Sequence, residues 1–421
     1  MMMSKILQKM GYSFYSLYSS YSSYSFYRKS SLSRIAKAFA VLLSLTACCP
    51  EPPLYLYDEV EAEIPLPTID LDLQVYWDYD WTFGINYDWE AEWYYGWDDE
   101  DRNMWGELGY TTPNRFNLRR YYTESTPYAP HTTVKPATVE GTHFQGSFDW
   151  GYWDILSWND IHTLDGVQSL VFDEKTTLDS ITAWTNPTMH PARYNAPNYT
   201  HAFFEPEPLF AAYEQAIEIN QNLEGFVYDE KRNVWVRTLN MKLVPITYIY
   251  LTQVILHNNK GRLQSIEGAS NLSGMARTTT INSGRAGDDA ITVNYGIRMK
   301  KDVPFVPYKE KADPSAERVD IIGGRLMTFG IPSHTANRIN SVDEIKDSYR
   351  HYLDVNVMFH NGMDSTIIFD VTDQVRRRYK GGVLTMELDM DTVPIPVRPG
   401  GSGFDAAVKP IEDGGTHEFE F

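Results

Sequence analysis

Val383-Leu384-Thr385-Met386-Glu387-Leu388-Asp389-Met390 alternates apolar and polar residues without a break. A period of two places Leu384, Met386, Leu388 and Met390 on one face and Thr385, Glu387 and Asp389 on the other, as in a half-buried strand. From Ile69 the same pattern recurs, with Leu71, Leu73, Val75 and Trp77 set against Asp70, Asp72 and Gln74. The run Asn233 to Asn258 is longer, is broken near Pro245 and is apolar on both faces, which predicts two-sided burial in a sandwich core. Further short strands are predicted at Gly146–Asn159, Gly268–Ala276, Ile291–Met299, Gly324–Gly330, Tyr352–His360, Thr366–Val371 and Thr416–Phe421. Short strands parted by Gly, Asn and Pro, with few helices, indicate an all-β chain built of β-sandwiches.

Composition agrees. The 421 residues include 29 Tyr, 19 Phe and 11 Trp, a 14% aromatic content that favours strands. With 43% hydrophobic and 22% charged residues the chain can build real cores. Its formal charge of −19 argues against a nucleic-acid partner, whose phosphates demand Lys and Arg clusters. The two cysteines, Cys48 and Cys49, are adjacent, so neither a disulfide scaffold nor a zinc or iron–sulfur spacing is available.

Residues 1–47 hold six basic residues and no acidic one, and a short apolar run from Ala38 to Leu45 leads into Leu45-Thr46-Ala47-Cys48. A basic region, a short apolar region and small residues before a cut are the parts of a secretory signal. The apolar run is too short to span a bilayer, which takes about 20 residues. Leu-Thr-Ala-Cys resembles the bacterial lipobox, in which the cysteine is acylated and becomes the first residue. Cleavage there takes the formal charge from −19 to −25. Tyr12, Tyr15, Tyr18, Tyr21, Tyr24 and Tyr27 recur every third residue among serines, a low-complexity leader removed with the signal.

The expected organisation is a signal peptide over 1–47 and an acidic, proline-punctuated tether over 48–65. A first β-sandwich follows over 66–185, a connector with a short helix over 186–233, and a second β-sandwich with a Gly/Pro-rich tail over 234–421. The helix is placed at Leu209–Ile219, where Phe210, Tyr213 and Ile217 stand three and four apart. A second short helix is suggested by Trp89, Trp93 and Trp97 at i, i+4 and i+8.

Motifs of catalysis are missing. There is no HExxH, no GxSxG and no P-loop, and the ten histidines are not spaced as helical metal ligands. No enzymatic activity and no cofactor is expected. Asp98-Asp99-Glu100-Asp101 lacks the alternating ligands and placed Gly of a calcium loop and reads as a solvated acidic turn. Trp89, Trp93 and Trp97, among Asp and Glu, are candidates for stacking a sugar, which makes a glycan-binding surface protein the alternative reading.

Several strings resemble one family. Ile246-Thr247-Tyr248 followed by Ile266-Glu267-Gly268-Ala269-Ser270-Asn271-Leu272-Ser273-Gly274-Met275-Ala276 is similar to a motif of the Bacteroidales fimbrillin-like lipoproteins. Phe369-Asp370-Val371-Thr372-Asp373-Gln374-Val375 resembles their "DVTDQ" strand and turn, and Gly403-Phe404-Asp405-Ala406-Ala407-Val408 their closing segment. Gly151-Tyr152-Trp153-Asp154-Ile155-Leu156-Ser157-Trp158-Asn159 resembles the strand that ends "YDVLVYN" in their first domain. The resemblance implies two tandem transthyretin-like (Greek-key) sandwiches, a lipid anchor in the outer membrane, exposure at the cell surface and partners among fimbrial subunits or host ligands. Its mode of action would be β-strand addition in adhesion or fimbrial anchoring. Asp179-Ser180-Ile181, Asp364-Ser365-Thr366 and Asp391-Thr392-Val393 look like sites such bacteria O-glycosylate after export, with Ser180, Ser365 and Thr392 as acceptors.

Acyl chains contribute about 0.8 kcal/mol per buried CH₂, so two or three hold a domain on a bilayer durably. Cys48→Ala is therefore expected to release the protein from membranes or leave it unprocessed, whereas Cys49→Ala changes neither. Labelled palmitate checks this, and a labelled, membrane-bound Cys48→Ala protein defeats the assignment.

Overall fold

The alternation at Ile69 becomes β1 (Thr68–Val75), with Ile69, Leu71 and Leu73 buried. The structure, a computed structural model, describes residues 66–75, 87–161, 169–173, 178, 181–194, 198–310, 313–332, 349–397 and 417–420. The signal peptide, Cys48, the tether up to 65, Ser180 and the Gly403–Val408 string lie outside the described residues.

After β1 come two short helices, α1 (Trp89–Glu92) and α2 (Asp99–Trp105). Strands β2 (Arg115–Thr123), β3 (Thr133–Glu140), β4 (His143–Ser147), β5 (Gly151–Asn159), β6 (Leu170–Asp173) and β7 (Thr182–Thr185) follow. Then come β8 (Pro187–Pro191), β9 (His201–Phe204), β10 (Phe210–Ile219), β11 (Val227–Asp229), β12 (Val234–Pro245) and β13 (Tyr248–His257). Next are β14 (Leu263–Ile266), β15 (Ser270–Ala276), β16 (Thr278–Thr280), β17 (Ala290–Tyr295), β18 (Arg298–Pro304) and β19 (Arg318–Thr328). The chain closes with β20 (Tyr352–Phe359), β21 (Asp364–Asp370), α3 (Thr372–Arg377), β22 (Gly382–Asp389) and β23 (His417–Glu420).

The first sheet runs β3-β2-β5-β10-β12-β1-β4, with β11 also on β12. Its two end strands, β3 and β4, are consecutive in the chain and separated only by Gly141 and Thr142. The sheet therefore curls until its ends meet, with β12 as the fold line. β12 runs parallel to β1 from Val236 to Leu243, and only Val244 and Pro245 reach β10. Phe116, Leu118, Trp153 and Ile155 of one layer share a core with Ile69, Leu71, Met241 and Leu243 of the other. The back of β2 and β5, with Tyr121, Leu156 and Trp158, packs on Ile181 and Ala183 beside the small sheet β16-β7-β6.

The second sandwich pairs β18-β19-β13-β22 with β23-β21-β20-β15-β17-β9-β8, and β14 adds to β20. Tyr250, Val254, Leu384, Met386 and Leu388 face Leu272, Met275, Ile291, Val355 and Ile367 across its core. The clean alternation of β22 is thus a strand with one face on that core. β13 is buried on both faces, as its two-sided pattern requires.

Residues 210–219 form a ten-residue strand, not a helix. A β-bulge explains the helical spacing. β10 slips register against β5 between Glu214 and Ile217, with Ala216 at φ 56°. Phe210 and Ala212 point into the core before the bulge, and Ile217 and Ile219 after it. The inserted residue breaks the period of two and leaves apolar residues three and four apart. Asp154 of β5 fastens the bulge, accepting from the Ala216 N–H at 2.7 Å and the Tyr213 hydroxyl at 3.2 Å.

Gly381 links α3 to β22 at φ +95°, and a Cβ there would lie 2.3 Å from the Ile249 carbonyl oxygen. Both the backbone conformation and the contact exclude a side chain. Gly381→Ala is expected to lower unfolding stability by about 1–3 kcal/mol, read from the urea midpoint; an unchanged midpoint contradicts this packing.

Candidate functional site

The outer face of the β13–β19 sheet is covered by residues 87–110. Gln253 holds them there. Its buried amide donates to the Glu92 carbonyl at 2.6 Å and to Thr385 Oγ1 at 2.8 Å, and accepts from the Tyr94 and Tyr95 N–H groups at 2.8 and 3.2 Å. Gly323 of β19 leaves room for the Tyr95 ring, which sits 2.4 Å from where a Cβ would be.

The three tryptophans do not line a helix face. α1 ends at Glu92, and Trp93 is already extended. Trp89, Trp93 and Trp97 are 7%, 0% and 6% exposed. Trp89 stacks on Tyr308 at 5.9 Å and Trp97 on Trp105 at 5.6 Å, while the Trp93 and Trp97 indole N–H groups donate to Gly96 and Gly106 carbonyls. Their rings are spent on packing, which corrects the expectation of a glycan-stacking face here. Tryptophan beside Asp and Glu is equally the composition of a buried seam with a charged rim, and the sequence does not separate the two.

The acidic run is bound rather than solvated. Asp98 caps α2 in a reciprocal box with Asp101. Asp101 is buried, accepts from Tyr95 Oη at 2.8 Å and pairs with Arg298 at 2.9 Å and Lys300 at 2.6 Å, both on β18. Desolvation pushes the Asp98 carboxyl up, but the Asp101 N–H and the Arg298 and Lys300 cations overcome it and hold it well below the usual carboxylate range. Burial first, and then the Asp101 charge, drive the Tyr95 hydroxyl far above its ordinary value. The run therefore clips the aromatic cover to β18. Among the described residues no group of three or more His, Cys, Asp or Glu is arranged to hold a metal.

Strand edges are the remaining places where a partner could add. β22 is blocked: Gln374 of α3 donates to the Thr385 carbonyl and accepts from its N–H, both at 2.9 Å, and the Tyr87 hydroxyl accepts from the Val383 N–H at 3.2 Å. Gln374 is the last residue of the "DVTDQ" string, and its amide stands in for a neighbouring strand. β18 carries a bulge between Lys300 and Val303, with Asp302 at φ 53°, and ends in Pro304. β8 has a proline at each end, and β3 contains Pro136. Lysines, prolines and bulges are the usual protections of an edge. β21 has none of these. Its outer edge is taken by β23 in a parallel register of four pairs, from Ser365↔His417 to Ile368↔Glu420. Of the expected glycan acceptors, Ser365 on β21 is 1% exposed, so a sugar there would have to displace the strand, which corrects that expectation. Thr392 is exposed in the turn after β22.

No family model matches the chain, and no curated protein matches it. It is similar to a solved "putative adhesin" of Bacteroides ovatus, with TM-score 0.41, 12% identity, and coverage of 79% of this chain and 95% of that one. A "putative adhesin" of Bacteroides thetaiotaomicron aligns at TM-score 0.42 and 9% identity over 78% and 93%. The fimbrial anchor protein Mfa2 of Porphyromonas gingivalis aligns at TM-score 0.35 and 11% identity over 76% and 90%. All three come from Bacteroidales.

Stability at Asp98 has a definite pH sense. Its carboxyl is depressed on folding, so the stability it contributes is complete above the ordinary carboxylate pKa and is lost as pH falls toward the lower folded value. The thermal midpoint of the wild type is expected to drop as pH falls from about 5 to about 2, and Arg298→Met to flatten that drop by about one carboxylate's share. Parallel curves for the two proteins speak against the clip.

Proposed function

We propose that this chain is a non-enzymatic lipoprotein, anchored by Cys48 in the bacterial outer membrane and exposed at the cell surface. It acts in adhesion or in anchoring and assembly of fimbriae, by receiving an extended strand of a partner. The observation that carries this reading is the β21 edge. It is long, free of proline and bulge, and among the described residues it is occupied by the four of β23. A partner strand pairing along Asp364–Asp370 would replace four ladder positions with seven, and backbone hydrogen bonds would supply its affinity. The other long edges carry the protections described above, so pairing is directed to one place. The lipobox and the ordered family strings support the surface location and the class of partner.

The test is a lock. In a Cys49→Ala background, Ser365→Cys with His417→Cys joins β23 to β21 under oxidation, at a register position where the two backbones are paired. Pull-down from membranes of a fimbriated strain is expected to recover fimbrial subunits with the reduced protein and at least tenfold less with the oxidised one. Equal recovery in both states removes the β21 edge as the site. No fimbrial subunit in either removes the fimbrial reading.

A further inference from the structure

The end of the first sandwich where β1 begins carries two guanidinium groups outside any ion pair, although the Asp149 charge acts on Arg120. Arg120 of β2 lies on the same face as Phe116 and Leu118, between the layers. Its guanidinium stands over the Phe144 ring at 4.9 Å and the Phe148 ring at 5.3 Å, and its Nε is buried without an acceptor. The nearby acid, Asp149, is taken by Lys135 at 2.6 Å. Arg237 of β12 stands opposite Ile69, which stands opposite Gly146, the residue against which Arg120 Nη1 rests. Two strand spacings, about 10 Å, thus part Arg237 from Gly146. Neither Arg120 nor Arg237 has an ion-pair or side-chain hydrogen-bond partner among the described residues. In a chain of net charge −19, two unmet arginines at one end are unexpected. Burying an unpaired N–H donor is unfavourable, and an incoming acceptor would recover that cost.

The same end exposes aromatic surface. Tyr228 and Trp235 pair across the β11–β12 hairpin, with ring centroids 5.4 Å apart, and are 42% and 37% exposed. Trp235 is two residues from Arg237 and therefore on the same face of β12. It is also level with Phe148: Val236 pairs with Thr68, and the Phe148 N–H donates to the Pro67 carbonyl at 3.0 Å. Forked guanidinium groups match a carboxylate, and an open aromatic pair matches the apolar face of a ring.

We propose that this end of the first sandwich binds a carboxylate-bearing sugar, with Arg120 and Arg237 on its carboxylates and Tyr228 and Trp235 against its rings. The site is separate from the β21 edge and does not rest on strand addition. Calorimetric titration of the full-length protein in detergent tests it, with tetragalacturonate and sialyllactose as the two acidic sources, maltotetraose as the neutral sugar and hexaglutamate as the acidic peptide. Saturable binding of at least one acidic sugar is expected, with maltotetraose and hexaglutamate at least tenfold weaker. Trp235→Ala at the surface and Arg237→Gln at a half-buried position are each expected to weaken it at least tenfold with an unchanged thermal midpoint, and Arg120→Leu to weaken it as much with a midpoint that does not fall. Failure of both acidic sugars to saturate at millimolar concentration overturns the site. So does tighter binding of hexaglutamate, or binding that survives Trp235→Ala and Arg237→Gln.

Discussion

β13 is apolar on both faces, and that obliges the molecule to cover a sheet twice. One face meets its partner sheet as in any sandwich. The other, with Ile249, Leu251 and Ile255, can be kept from water only by something outside the sandwich, and residues 87–110 supply it. Gln253 makes the match specific, because a buried amide with four partners tolerates one placement of the segment and few others. The charged clip at Arg298 and Lys300 sits at the rim of the same contact. Much of the unusual tryptophan content is accounted for by this second surface.

The strands were legible because burial on one face leaves a mark of period two, and β1, β20 and β22 carry it plainly. What failed was any feature set by a partner far along the chain. The bulge in β10 changes the phase of its apolar residues, and Asp154, which secures it, is some sixty positions upstream. Trp89, Trp93 and Trp97 could be read as an exposed platform because Tyr308 and Trp105, which stack on two of them, and the sheet beneath are not adjacent in sequence. Gln374 was visible within a motif, but its task of closing the β22 edge depends on Thr385 lying beside it. Tyr228 and Trp235 carry no distinguishing sequence signal among so many aromatics, since exposure is a property of the fold.

The sheet edges are not covered alike. A chain with several sheets and many ends is open to unwanted pairing, and several of the ends here are met by a particular chemical device: a side-chain amide, a proline or a bulge. The β21 edge is met by backbone alone. Backbone cover is reversible in a way that a proline is not, because one strand can replace another without leaving hydrogen-bonding groups unmet.

The parallel pairing of β1 with β12 also sets an order of events during synthesis. Thr68 and Val236 are partners, so the first sheet cannot close until the chain has grown past Pro245. β8 and β9, made in the meantime, have their neighbour in β17, which is later still. The second sandwich therefore takes up two strands that are made before the first sandwich is complete. A half-made chain carries the β8–β9 pair without its outer neighbour, and delayed long-range pairing of this kind exposes strand edges to aggregation.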